Sequence, residues 1–172
     1  MLAMEYLKGL LFLHLHFMLL AGIVILVNKR FGLPSEIYRK LLHIVAVFSI
    51  MPIVVPSNSW LASVLVCGTF LLESYLGGRF SPLLKKVDVK ERKAGEQQSS
   101  MFLLFGTYIF LILNCWAALG QKWMVILSVV AWGVGDAAAA LVGKRFGRHK
   151  VSGRLIEGTK SLEGSAAMFV MS

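Results

Sequence analysis

The chain has 172 residues, 57% of them hydrophobic and 16% charged, with a formal net charge of +9 and a mean hydropathy of +0.72. Soluble domains carry about a quarter charged residues, so there is too little polar surface here to coat a water-soluble globule. An all-α polytopic transmembrane helical bundle is expected instead.

Spans of roughly the 20 apolar residues that a bilayer core demands are predicted at 7–28, 41–56, 59–76, 101–119 and 123–142. The first has neither a basic n-region nor a small-residue cleavage site, which makes it a retained anchor rather than a signal peptide. A sixth apolar run opens at Ser165 and reaches Ser172, seven residues on, too short to cross. The expectation is five full spans plus the start of a sixth, in a single integral membrane domain, 1–172, cut short at its carboxyl end.

Charge is distributed unevenly among the connections. Lys29, Arg30, Arg39 and Lys40 separate the first two spans, Arg79, Lys85, Lys86, Lys90, Arg92 and Lys93 the third and fourth, and Lys144, Arg145, Arg148, Lys150, Arg154 and Lys160 follow the fifth. These alternate connections hold sixteen of the eighteen basic residues, while Pro56–Ser59 and Gly120–Lys122 contribute only Lys122. That is the positive-inside pattern, with the amino terminus outside and the basic loops in the cytoplasm. It accounts for the net charge without nucleic acid, and most of these residues need do no more than fix topology and attract anionic headgroups. Cys67 and Cys115 fall in different spans, lack metal-ligand spacing and read as small apolar residues.

Ionisable groups within spans are costly and tend to mark function. His14 and His16, two apart, point about 200° from one another on a helix and cannot share a ligand. Arg39, Lys40 and His43 open the second span at helical spacing on one face, suited either to a phosphate or polar headgroup or to interfacial anchoring. Glu73 lies six residues before Arg79 and could pair with a basic residue or snorkel to the interface. The segment from Lys85 to Glu96, with its mixed charges, reads as a solvated surface.

The most informative stretch is Gly133-Val134-Gly135-Asp136-Ala137-Ala138-Ala139-Ala140-Leu141-Val142-Gly143-Lys144-Arg145-Phe146-Gly147, continued by Gly158-Thr159-Lys160-Ser161-Leu162-Glu163-Gly164. A carboxylate inside an apolar span needs a partner, and Mg²⁺ held by one or two carboxylates together with substrate phosphates is one such partner. The small residues around Asp136 admit close approach of a second helix or a ligand. Gly143 and Gly147 bracket Lys144-Arg145 in what reads as a loop able to wrap a polyphosphate. Lys160 precedes a helix start that Ser161 would cap, an arrangement suited to anions. The alternative is a tight packing face with a paired Asp136. The match of Gly133-Val-Gly135-Asp-Ala-Ala138 to a dinucleotide fingerprint is set aside, since that motif requires a strand–turn–helix unit and no alternating strands flank it here. No GxxxxGK[ST] occurs in the chain.

The paired segments at 135–147 and 158–164 resemble the signature of the polyprenol kinases, a group that includes dolichol kinase, phytol kinase and the CTP-dependent diacylglycerol kinase. They are more distantly similar to CDP-diacylglycerol synthases. Arg39-Lys40-Leu-Leu-His43 is similar to the group's R-K-x-x-H element, so the resemblance runs from about Arg39 onward. It implies transfer of the γ-phosphoryl group of CTP to the hydroxyl of a membrane isoprenoid alcohol or diacylglycerol, with Mg²⁺ as cofactor. By that resemblance Asp136 holds the metal, while Gly135, Gly143, Lys144, Gly147, Lys160, Glu163 and Gly164 form the nucleotide site. Arg39 and Lys40 meet a headgroup or phosphate, and His43 and Glu73 are the candidates for general base; Glu91 is a looser match to an acidic position. The group's members continue for at least one further helix. The rival functions are phosphatidate cytidylyltransfer at the α-phosphorus and a non-catalytic membrane paralogue. The membrane would be the inner membrane of a prokaryote, or the endoplasmic reticulum or plastid of a eukaryote.

Overall fold

The computed structural model describes residues 1–80, 96–153 and 156–172. Of the residues singled out above, Lys85, Lys86, Lys90, Glu91, Arg92, Lys93 and Arg154 lie outside the described residues, as do the side chains of Arg79, Glu96 and Thr159.

In chain order the elements are α1 (Leu2–His16), a π-helical turn (Phe17–Ala21), α2 (Gly22–Phe31), α3 (Ser35–Phe48), α4 (Ile50–Val54), α5 (Trp60–Phe80) and α6 (Glu96–Leu111). A second π-helical stretch (Ile112–Ala118), α7 (Lys122–Phe146), β1 (Lys150–Gly153), β2 (Ile156–Ser161) and α8 (Leu162–Met171) complete them. The fold is all-α apart from the two-stranded hairpin. Among the described residues five stretches are long and apolar enough to cross a bilayer: Leu2–Phe31, Ile37–Val54, Trp60–Gly77, Ser99–Ala118 and Lys122–Phe146. The number and positions agree with the sequence expectation. The first span is longer than expected, and the fifth runs on through Lys144 and Arg145. Leu7, Met18, Leu26, Leu103, Phe110 and Leu127 are each more than half exposed, as side chains that face hydrocarbon rather than water should be.

The chain forms two compact units, Met1–Ile126 and Leu127–Ser172. In the first, α1 runs parallel to α5. Gly9 is the point of close approach, since a Cβ there would lie 3.0 Å from Val66 Cγ2, and Tyr6 and Thr69 share a hydroxyl hydrogen bond of 3.0 Å. A small residue at a crossing lets two apolar helices pack without a hydrophobic drive between them. Phe17, Phe70, Phe105 and Tyr108 form an aromatic chain from the half-buried Phe17 and Phe70 to the buried Phe105 and Tyr108, with successive ring centroids 5.0, 4.8 and 5.1 Å apart.

The second span breaks at Ser49, between α3 and α4. Pro52 explains the break: it has no N–H for the Phe48 carbonyl and its ring crowds that group. In a bilayer, freed carbonyls must be satisfied by protein. Ala46 O accepts from Ser49 Oγ at 2.6 Å, and the Tyr108 hydroxyl lies 2.8 Å from Ala46 O and 2.9 Å from Val47 O. At the end of this unit away from the Arg39–Lys40 pair, Lys122 Nζ donates to Val55 O at 3.0 Å and Ser57 O at 2.5 Å, and Glu5 accepts from Ser57 Oγ and Asn58 N. Lys122, one of the two basic residues outside the basic loops, thus has a structural post, tying the short connections together.

The second unit is an antiparallel helix pair, α7 and α8, joined by the β1–β2 hairpin. The strands pair Lys150 with Ser161, Val151 with Lys160 and Gly153 with Ile156, with an irregularity between Val151 and Gly153. The hairpin corrects the expectation that no strands flank the glycine–aspartate segment. Gly135 and Asp136 lie deep in a helix all the same, so the strand–turn–helix context of a dinucleotide fingerprint is not met.

Candidate functional site

In the first unit, α3 is helical through residues 39–43, so Arg39, Lys40 and His43 share one flank as their spacing predicted. All three are half-buried, and His43 Nε2 is shut off from solvent. Glu73 sits on α5 with its Oε2 3.0 Å from His14 Nε2. Among the described residues its pairing partner is therefore a histidine in the first span. His16 turns the other way, its Nε2 2.8 Å from Val45 O, so the two histidines diverge as their spacing required.

The second unit rearranges the glycine-rich segment. Lys144 and Arg145 lie in the last turn of α7, which corrects the expectation of a phosphate-wrapping loop between Gly143 and Gly147. The glycines instead form a seam against α8. A Cβ on Gly135 would meet Met168 at 3.2 Å, one on Gly143 would meet Ser161 Oγ at 3.1 Å, and one on Gly164 would lie 2.7 Å from Ala139 O. A Cβ on Gly147 would lie 2.7 Å from Ser161 Oγ and collide with the Gly143 carbonyl. Gly135, Ala139, Gly143 and Gly147 follow one another at intervals of four, which keeps them near one face of a helix.

Each seam residue is followed by one turned about 100° away. Asp136, Ala140 and Lys144 consequently form a stripe along one flank of the seam. Asp136 is half-buried and Lys144 exposed, and the offset of eight positions from one to the other corresponds to about 12 Å along the axis. The Gly143–Ser161 contact brings Lys144 and the exposed Lys160 to the same end of the helix pair. A carboxylate, a gap at alanine and two lysines are thus arrayed beside a seam of small, closely packed residues.

Ser161 caps α8 as its sequence position predicted, its Oγ accepting from Gly164 N at 3.1 Å. The helix opens at Leu162, three residues earlier than the Ser165 expected. Its leading amides are engaged within the chain, for Leu162 N donates to His149 O at 3.0 Å. Glu163 accepts from His149 Nδ1 at 2.8 Å and from His149 N at 3.2 Å. The His149 ring, followed by the residue's own amide, draws the Glu163 carboxyl down to about 2. A phosphate reaching this helix end has to compete with Glu163 and Ser161.

The lowered carboxyl sets a pH dependence. A group whose folded pKa lies below its unfolded value stabilises the fold above the unfolded value, here 4.5, and loses that contribution as pH falls toward the folded one. The unfolding midpoint of the detergent-solubilised protein should therefore fall as pH is lowered from about 4.5 to about 2. In Glu163→Gln that component of the titration should vanish. A variant profile that parallels wild type would show that this contact carries no linkage.

Among the described residues no three His, Cys, Asp or Glu side chains cluster to hold a metal ion. The residue missed in the sequence was His149, which reaches Glu163 only through the hairpin. The seam could have been found from the four-residue interval of its small residues. Compared with known proteins, the chain matches no family model, no curated protein and no solved structure.

Proposed function

We propose that the chain is a CTP-dependent lipid kinase, transferring the γ-phosphoryl group to the hydroxyl of a membrane isoprenoid alcohol or diacylglycerol. The observation that carries this reading is the stripe on α7, where Asp136 and Lys144 stand on one flank with only Ala140 between them, and Lys160 at the same end. The resemblance of segments 135–147 and 158–164 to polyprenol kinases supports it from sequence. The alternation of basic connections supports an amino terminus outside and a nucleotide site that opens to the cytoplasm.

Phosphoryl transfer asks a protein mainly for positioning and charge neutralisation. Asp136 would hold Mg²⁺ on the nucleotide, and the ion when bound supplies Lewis-acid neutralisation of the phosphate oxygens. Lys144 and Lys160 offset the remaining triphosphate charge, while Gly135, Gly143, Gly147 and Gly164 keep the helix pair closed so that these groups stay in register. Arg39 and Lys40 attract the headgroup or phosphate at the mouth of the second span. In the reaction the alcohol oxygen bonds to the γ-phosphorus as the β–γ bridging P–O bond breaks, and CDP departs with that electron pair. The hydroxyl proton passes to a base.

The glycine seam favours a second reading, a non-catalytic membrane protein whose four-residue spacing of small residues serves helix packing alone. Proteoliposomes supplied with CTP, Mg²⁺ and a panel of alcohols and phosphatidate separate the readings. The kinase releases CDP in equal amount to phosphorylated alcohol. Pyrophosphate release with phosphatidate would mean cytidylyltransfer, and unaltered CTP throughout would favour the packing role.

A further inference from the structure

We infer that the His14–Glu73 pair is a hydroxyl-recognition site on the membrane-facing side of the first unit, which receives a lipid alcohol from the bilayer by a hydrogen bond to Glu73. The inference rests on the proposed function only in taking the ligand to be a membrane alcohol, and it assigns that alcohol a place and adds His14 to the residues that serve it.

The argument begins with protons. His14 Nδ1 lies 2.8 Å from Leu10 O. A carbonyl oxygen can only accept, so Nδ1 carries a hydrogen. His14 Nε2 lies 3.0 Å from Glu73 Oε2, and that contact requires one proton between them. The pair is either imidazolium with carboxylate or imidazole with carboxylic acid, and both forms are electrically neutral. Such a pair is tolerable in a span where a lone charge would not be.

Position is the second point. Glu73 is four residues before Gly77, where the third span ends, about 6 Å along the helix, and its carboxylate is held at the depth of His14. His14 is twelve residues into the first span, about 18 Å from its start. Yet the two side chains are 49% and 43% exposed. The second carboxylate oxygen of Glu73 takes no hydrogen bond among the described residues. A polar oxygen turned toward hydrocarbon costs several kcal/mol unless something donates to it.

The surroundings suggest the donor. Phe70 meets the His14 ring edge-on at 5.9 Å and stacks on Phe17 at 5.0 Å, which sets two half-buried aromatic rings beside the pair. A molecule with one hydroxyl at the end of a hydrocarbon chain satisfies both features, as its O–H donates to Glu73 and its chain lies against the aromatic rings. His14 acts as a positioning residue, fixing the carboxylate through Nε2.

The test uses the full chain in liposomes without nucleotide and a photoreactive hexadecanol probe. Label should concentrate on peptides containing His14 and Glu73. Excess hexadecanol should compete about tenfold better than hexadecyl methyl ether, which cannot donate, the weight of one hydrogen bond to a charged acceptor. In the double variant His14→Leu with Glu73→Leu local labelling should fall about as far. Replacing both partners of a polar pair in an apolar setting by apolar groups is commonly neutral for folding, so this variant should remain folded. Equal competition by the ether, label spread evenly over the spans, or a double variant labelled like wild type would each overturn the proposal. Because no CTP is present, failure here is distinct from failure of the kinase reading, which would leave labelling intact and phosphoryl transfer absent.

Discussion

Asp136→Asn should reduce phosphoryl transfer on the order of 10³-fold while the protein stays inserted and folded. The two side chains are nearly the same size, so the substitution removes charge and little else. A carboxylate that holds a nucleotide-bound metal contributes several kcal/mol of charge stabilisation, and each 1.36 kcal/mol is tenfold in rate. A carboxylate that serves packing alone gives a different signature, lowering the unfolding midpoint and leaving residual activity in proportion to folded protein. Asp136→Glu sharpens the distinction, because it retains an acidic ligand but displaces it. That variant should keep measurable activity with a raised Mg²⁺ requirement. Activity in Asp136→Asn within a few-fold of wild type, measured on folded protein, would remove the metal role.

The second large effect concerns the seam. Gly164→Ala should destabilise the protein by about 1–3 kcal/mol, the usual cost of overpacking a close contact, because the added Cβ would lie 2.7 Å from Ala139 O and 3.2 Å from Gly143 Cα. Both are backbone atoms and cannot rotate away, so the helices must part. Gly143→Ala should be much milder. Its Cβ would meet the Ser161 hydroxyl at 3.1 Å and Gly164 Cα at 3.5 Å, and the modest crowding is set against a helix-propensity gain of about 0.5–1 kcal/mol. Gly106→Ala, where nothing lies within 4 Å, serves as the control and should be neutral or slightly stabilising. Unfolding of the solubilised variants, with hydrogen exchange in α8, reads the order directly. If Gly164→Ala were as stable as Gly106→Ala, α7 and α8 would not pack as described. Under the kinase reading the seam also sets the spacing of Lys144 from Lys160, so Gly164→Ala should weaken nucleotide use even in the fraction that remains folded.

The spans were legible because hydropathy is a one-dimensional property, and runs of about 20 apolar residues leave few other options. Their ends were less so. Gly143 reads as a breaker in isolation, but it is a contact position for α8, and α7 continues past it to Phe146. The hairpin escaped notice because Lys150-Val-Ser-Gly153 and Ile156–Ser161 are too short and too polar to display a period of two. Ser161 as a cap was readable from the adjacent chain, since capping is local. The His14–Glu73 and His149–Glu163 pairs were not, because each depends on two elements being brought side by side. Divergence of His14 and His16 followed from helix geometry alone, whereas the identity of their partners required the packing of α1 against α5 and α3.

The most direct measurement of the central claim is the fate of CTP labelled in turn at the γ and α phosphorus, incubated with membranes containing the protein, Mg²⁺ and candidate lipid acceptors, followed by lipid extraction. The account predicts label in lipid from the γ position only, lost in Asp136→Asn. Label from the α position, or none from either in folded, inserted protein, would contradict it.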